Sequence, residues 1–189
     1  MKPYIGFNDS GELPDIRLDP VFKAVFTKNT PESQGALSDL VSALIRRKIT
    51  VETIVTNEPP IEDLRGRSIR FDLSCRSDKG DLINIEMSLR PDPCEQVRLE
   101  YYAGKLFTRQ DIRGIEKDYS HLKHAYQIAI LANGRFFGDK ELVHRFGYYD
   151  REQDVSLGGR SQIITLELKK AELVIAKPVE EIRNASKII

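Results

Sequence analysis

Two carboxylates on neighbouring predicted strands are the residues best suited to chemistry in this sequence. Asp72 lies in the segment Ile69 to Cys75 and Glu86 in the segment Ile83 to Leu89, and polar and apolar residues alternate through both segments. Alternation of this kind predicts two strands, and the short glycine-containing loop between them predicts an antiparallel hairpin. In the symmetric register centred on Lys79, Asp72 lies opposite Glu86, with Cβ atoms about 5 Å apart.

Two like charges at this separation favour a bound cation or a shared proton. Directly opposed carboxylates destabilise a sheet unless a cation bridges them or one of them is protonated. Oxygen ligands favour Mg²⁺ or Mn²⁺ over zinc, and no cysteine or nearby histidine shares this face. Two alternatives stay open: acidic residues on the solvent face of a hairpin are common and need no metal, and a register slip of one residue would turn one carboxylate inward.

A basic and aromatic face is predicted on the helix that follows the hairpin, from about Glu95 to Ile112. Its members recur at positions i, i+4, i+7 and i+11 and are Arg98, Tyr102, Lys105 and Arg109. Cations beside an aromatic ring suit a nucleic-acid backbone, which predicts contacts to DNA. A solvated helix face, or a protein interface such as that of a homodimer, fits the same pattern.

The remaining periodicity predicts the elements that position these residues. Asp19-Pro20 is an N-cap signal before a first helix, and Thr30-Pro31 is another before a second helix. The predicted strands are 49–55, 126–131 and 162–168, with a possible helix over 139–146 and a polar helix or tail after residue 169. Helices alternating with strands in this way predict a layered α/β domain.

Composition excludes several classes of protein. The chain has 189 residues, with 29 Lys and Arg against 29 Asp and Glu, so its net charge of zero argues against DNA binding by charge alone. Two cysteines give no disulfide framework, and the N-terminal segment has no apolar core of a secretion signal. We expect a cytoplasmic protein that does not enter the membrane, with an arm over 1–15, one domain over 16–172 and a C-terminal helix or tail over 173–189.

Six segments together resemble the recombination-promoting nuclease, or transposase, family of the PD-(D/E)XK superfamily. They follow in the family's order, and the likeness spans roughly residues 16–172, which is most of the chain. They are LDPVFKAVF at 18–26, FDLSC at 71–75, INIEMS at 83–88, RLEYYAGKLF at 98–107, YSHLKHAYQIAIL at 119–131 and ITLELKK at 164–170.

The resemblance implies a restriction-endonuclease-like core, with a central mixed β-sheet flanked by α-helices, that cleaves DNA with Mg²⁺ or Mn²⁺. It implies that Asp72, Glu86 and the backbone carbonyl of Met87 ligate the metal. It also implies that Arg98 and Tyr102 lie near the site. Superfamily members often bring a further acid from the first helix, which makes Asp19 a candidate beside its N-cap interpretation.

Position 88 departs from the family pattern. The family generally has Gln there and the wider superfamily has Lys, whereas this chain has Ser88. Arg70, opposite Ser88 in the symmetric register, is a candidate phosphate contact or substitute for the missing side chain. Pairing of Arg70 with Glu86 or a neighbouring acid is the favoured interpretation. We expect a metal-dependent DNA endonuclease, with Ser88 in a catalytic position. The alternative is a degenerate nuclease fold that binds nucleic acid or a protein partner.

Overall fold

Four α-helices, one short 3-10 helix (Tyr119–His121) and eight strands lie in the part of the chain that the computed structural model describes, residues 15–56, 72–91, 93–112, 118–133 and 136–175. The helices are α1 (Asp19–Phe26), α2 (Pro31–Ile45), α3 (Glu95–Thr108) and α4 (Leu168–Ile175). The strands are β1 (Val51–Thr56), β2 (Leu73–Ser77), β3 (Leu82–Ser88), β4 (Ala125–Leu131), β5 (Val143–Phe146), β6 (Tyr149–Asp150), β7 (Val155–Ser156) and β8 (Ser161–Glu167).

Six of these strands form a mixed sheet in the order β1-β2-β3-β4-β8-β5. The central strands β3, β4 and β8 are parallel, whereas β1, β2 and β5 pair antiparallel with their neighbours. Strands β6 and β7 form a separate two-stranded ribbon. The predicted α/β class with a central mixed sheet is confirmed.

Helices α1 and α2 cover one face of the sheet through a continuous apolar core. The Thr30 side chain accepts a hydrogen bond from the Ser33 amide and begins α2, as the sequence predicted. The buried apolar residues of the two helices and of the facing strands include Phe22, Leu37, Val41, Leu44, Leu73, Ile85, Ile128 and Ile164.

Helix α3 covers the opposite face and makes a third layer. Leu99 packs with Ala129 and Leu131 of β4, and Leu106 packs with Ala125 of the same strand. The two alanines bring α3 close to the sheet, because they add little side-chain volume between helix and strand. Successive residues of a strand point to opposite faces, so the polar residues of β3 also lie beneath α3.

The β2–β3 hairpin has the predicted register. Leu73 pairs with Ile85 and Arg76 with Leu82, which is the pairing centred on Lys79. Gly80 has a φ of 80°, a left-handed conformation that glycine adopts without a steric penalty.

Three predictions about helices are wrong, and the strand predicted over 162–168 ends at Glu167, since Leu168 begins α4. The third helix ends at Thr108 and not at Ile112, with Arg109 as its C-cap. The possible helix over 139–146 is a series of bends followed by β5, because the residues from Val143 to Phe146 pair with β8. Asp19 is the first residue of α1, and Leu18 occupies the N-cap. Residues 1–14 of the predicted arm, the strand residues 69–71 and the tail beyond 175 lie outside the described residues.

Within the described ranges, the longest helices are too short and too polar to cross a bilayer.

A buried ionic network ties α4 to the loop before β5. Lys170 is fully buried, and its Nζ lies 2.6 Å from Glu167 Oε1 and 3.0 Å from Asp139 Oδ1. Burial acts to lower the pKa of Lys170, but the bonds to Glu167 and Asp139 outweigh it and raise the pKa overall. Glu167 Oε2 in turn accepts a 2.7 Å hydrogen bond from the Phe136 amide. The network therefore fixes the segment that carries Phe136 and Phe137.

Replacing Lys170 tests this network. We expect Lys170→Met to lower the free energy of unfolding by roughly 3–5 kcal/mol, because Glu167 then keeps a buried charge without its ammonium partner. The double variant Glu167→Gln/Lys170→Met removes the charge and retains an acceptor for Phe136, so it should lose less stability. Urea unfolding followed by circular dichroism measures both. Equal losses in the single and double variants would contradict the charge-compensation argument.

Candidate active site

Asp72 and Glu86 meet at the open end of the hairpin. Asp72 comes directly before β2, one residue beyond the Leu73–Ile85 pair, so the register places it opposite Glu86. The electrostatic coupling between the two carboxylates agrees with this proximity. The structure therefore brings together the two residues that the sequence singled out.

The polar face of the hairpin is buried. Ser74, Asn84, Glu86 and Ser88 all lie on the face covered by α3, and each is less than a tenth exposed. The interpretation of Glu86 as an acid on a solvent-exposed strand face therefore does not hold. Buried polar groups require partners, and the Asn84 amide supplies one by donating to Glu86 Oε1 at 3.3 Å and to Gln127 Oε1 at 2.8 Å.

Glu86 has a strongly altered protonation equilibrium. Glu86 is only 5% exposed. The pKa of its carboxyl group is raised to about 8, and burial is the largest cause. The charges of Asp72 and Glu95 raise the pKa further, whereas Arg98 and the hydrogen bond from Asn84 lower it. A carboxyl group in this environment readily holds a proton or a cation, because either one removes the cost of an isolated buried charge.

Glu95 is a site residue that the sequence interpretation missed. It is 1% exposed and begins α3, where a carboxylate is favoured by the helix dipole. Its Oε1 accepts a 2.6 Å bond from Arg98, one helical turn later. The spacing of Glu95 and Arg98 is an ordinary i, i+3 surface pattern, so only its burial distinguishes it.

Ser88 faces this same carboxylate. The Ser88 hydroxyl donates to Glu95 Oε2 over 3.4 Å, a long hydrogen bond. The family's Gln and the superfamily's Lys are both longer than serine. The position that departs from the family pattern therefore lies beside an acid from the next helix.

Arg98 and Tyr102 lie on the flank of α3 that faces the carboxylates. The Arg98 guanidinium carbon is 5.9 Å from the centre of the Tyr102 ring, within cation–π range. Burial raises the pKa of the Tyr102 hydroxyl, and the charges of Glu86 and Asp72 act in the same direction. These two residues are thus electrostatically part of the site.

The other predicted site residues are placed differently. Lys105 lies over the ring of Tyr101 at 5.5 Å, and Arg109 lies by a separate shallow depression with Arg76. The Met87 side chain packs against the core on the α1–α2 face. Arg70 and the Asp19 side chain lie outside the described part of the chain.

A model of the PD-(D/E)XK nuclease family transposases matches residues 16–184 of the 189. The chain belongs to this family. No curated protein and no solved structure gives a significant match. Membership supports a nuclease or transposase-like function, and nucleases of this superfamily generally use divalent metals.

The residues around Asp72 and Glu86 suit a hard divalent cation. The donors are carboxylate oxygens with buried polar groups around them, and the side-chain oxygens of Ser74 and Asn84 have no hydrogen-bond partner in the described structure. Among the residues described, no three His, Cys, Asp or Glu side chains form a complete metal-ligand cluster. Two carboxylates suffice for Mg²⁺, which keeps several of its waters when bound to protein.

The raised pKa of Glu86 predicts a pH-dependent stability in the absence of metal. Below about pH 4.5 the Glu86 carboxyl is protonated in both the folded and the unfolded chain. Between about pH 4.5 and pH 8 only the folded chain keeps this proton. Raising the pH over this interval therefore favours unfolding, by roughly a few kcal/mol in total.

The variant Glu86→Gln carries no titrating group at this position. Denaturant unfolding in EDTA should show the wild-type free energy falling relative to that of the variant as the pH rises from 4.5 to 8. Wild-type and variant curves that stay parallel across this interval would rule out a buried, titrating Glu86.

Proposed function

We propose that this protein is a metal-dependent endonuclease that hydrolyses phosphodiester bonds of DNA. The observation that carries the proposal is the buried Glu86 carboxylate with Asp72 opposite it, covered by a helix that presents Arg98. A chain that used this domain only for binding would gain nothing from like charges held together beneath a helix, because their burial costs stability.

Asp72, Glu86 and the backbone carbonyl of Met87 are the groups that would hold Mg²⁺ or Mn²⁺. Such a metal polarises the scissile phosphate and lowers the pKa of a bound water. Asn84 orients the Glu86 carboxylate through its 3.3 Å hydrogen bond, and its second bond to Gln127 fixes the amide in that position. Glu86 Oε1 is therefore held from within β3, and through Gln127 from the neighbouring strand β4.

Arg98 supplies the positive charge on the protein side of the site. Glu95 anchors its guanidinium through the 2.6 Å bond and is itself contacted by Ser88. An arginine held in place by a carboxylate can contact a phosphate without first losing conformational freedom. In this proposal Ser88 acts by seating Glu95, while Tyr102, Lys105 and Arg109 extend the contact to the DNA backbone along α3.

Nicking of supercoiled plasmid in Mg²⁺ or Mn²⁺ tests the proposal. We expect Asp72→Asn and Glu86→Gln to lower the nicking rate roughly a hundredfold, as for loss of a group that a metal centre requires. Asp78→Asn is the matched control, because Asp78 lies exposed in the turn of the same hairpin. EDTA should abolish the wild-type activity.

Two outcomes would contradict the proposal. Nicking that persists at the wild-type rate in both site variants would assign the activity elsewhere. A folded wild-type protein that leaves the plasmid intact in both metals would exclude hydrolysis of this substrate.

A catalytically degenerate fold that binds DNA is the second candidate function, and Ser88 is the observation that favours it. Serine has neither the length of the family's Gln nor the charge of the superfamily's Lys, and here its hydroxyl is directed to Glu95. Under this alternative the wild-type protein retards DNA in a gel without nicking it. Retardation should then weaken as salt is added, because phosphate contacts release counterions.

A further inference from the structure

A cavity lies along α3, on the flank of the helix opposite Asp72 and Glu86. Its volume is about 610 Å³, and α3 forms one wall through Leu99, Ala103 and Gly104. Thr165 of β8 lines the cavity, and the register places Thr165 beside Ala129, which in turn lies beside Glu86. Two strand spacings of about 4.8 Å therefore separate Thr165 from Glu86 along the sheet.

Aromatic side chains form the wall that faces α3. Phe137, Phe146 and Tyr148 line the cavity, and the Phe137 and Phe146 rings are 5.4 Å apart between centroids. A Cβ atom added at Gly159 would lie 2.6 Å from the Tyr148 ring. The absence of a side chain at Gly159 therefore lets the Tyr148 ring pack there without a steric clash. Phe146 and Tyr148 are both exposed residues. The wall thus offers stacking surface to a planar ligand.

Three polar side chains, those of Gln96, Glu100 and Thr165, line this cavity. The Thr165 hydroxyl is fully buried and has no hydrogen-bond partner in the described structure, although it can both donate and accept. Gln96 and Glu100 of α3 stand at the cavity as an amide and an acid. An apolar cavity with few convergent polar groups is a typical small-ligand site, and the acid disfavours an anionic occupant.

A second cleft shares Phe146, Gly147 and Tyr148 with this cavity. It reaches the other face of the sheet, where Arg145 and Gln162 lie. This cleft is about 480 Å³ and is lined by Arg151, Tyr149 and Gln162. Arg151 is exposed, and it offers a cation next to the aromatic wall. Aromatic rings that stack bases, beside a cation that contacts phosphate, are the combination used to bind single-stranded nucleic acid.

We propose that the cavity between α3 and β8 holds the base of an unpaired nucleotide in the DNA substrate. The base stacks against Phe146 and Tyr148, with its edge hydrogen-bonded to Thr165 and to Gln96 or Glu100. The inference rests on the proposed DNA function and assigns its substrate class, DNA with single-stranded or extruded nucleotides. The nuclease site and the base site then flank the same helix.

Filling the cavity from Gly104 tests the inference. No atom lies within 4 Å of a Cβ added at Gly104, so Gly104→Leu places a side chain in the open space and improves helix propensity. Gly35→Leu is the matched control, since Gly35 is an exposed glycine of α2 with the same free space. Thr165→Val is a second variant that keeps the volume and removes only the hydroxyl.

The measurement is fluorescence anisotropy of a labelled single-stranded oligonucleotide in EDTA, with a blunt duplex of the same sequence for comparison. We expect Gly104→Leu to weaken single-strand binding roughly tenfold, the scale of one lost stacking interaction, and Thr165→Val to weaken it less. Gly35→Leu and duplex binding should not change. Because EDTA prevents cleavage, the result is independent of whether the protein is a nuclease.

Wild-type affinity in Gly104→Leu, or no single-strand binding by the wild-type protein, would overturn the inference. A change of sedimentation coefficient in Gly104→Leu without a change in DNA affinity would assign the cavity to contact between copies of the chain, and would overturn it as well. If Gly104→Leu loses single-strand binding while the wild-type protein leaves the plasmid intact in the nicking assay, the base site is retained and hydrolysis is rejected.

Discussion

The burial of the Glu86 carboxylate beneath α3 constrains the rest of the site. Two further acids, Asp72 and Glu95, contribute negative charge around it, and Arg98 is the cation that most lowers its pKa. A charge removed from water costs several kcal/mol unless it is compensated. The site therefore requires a proton or a cation at Glu86, and the small side chains of β4 that let α3 approach the sheet create that requirement.

The hairpin register follows from the sequence because alternation on both strands and a central turn select one pairing. The burial of its polar face does not follow, since alternation shows which residues share a face and not which element covers it. Strand β5 escaped prediction for a related reason. Its four residues, Val143 to Phe146, are too few to separate a strand from a helix, and their pairing with β8 decides the conformation.

The candidate site was only partly accessible to sequence reasoning. The positions of Asp72 and Glu86 follow from the register together with the family resemblance. Glu95 does not, because its contact with Ser88 depends on how the chain turns through Pro91 and Cys94 into α3. At position 88 the family's residue is replaced by a serine. Its hydroxyl contacts the Glu95 carboxylate, which in turn binds Arg98.

The direct test of the central claim is calorimetric titration of the metal-free protein with Mn²⁺. A metal site at Asp72 and Glu86 predicts one bound Mn²⁺ ion per chain. The affinity for Mn²⁺ should fall roughly tenfold or more in Asp72→Asn and in Glu86→Gln. The Asp78→Asn variant should bind as the wild type does. Equal Mn²⁺ binding by the wild type and both site variants, or no binding by the folded wild-type protein, would contradict a divalent-metal site at Asp72 and Glu86.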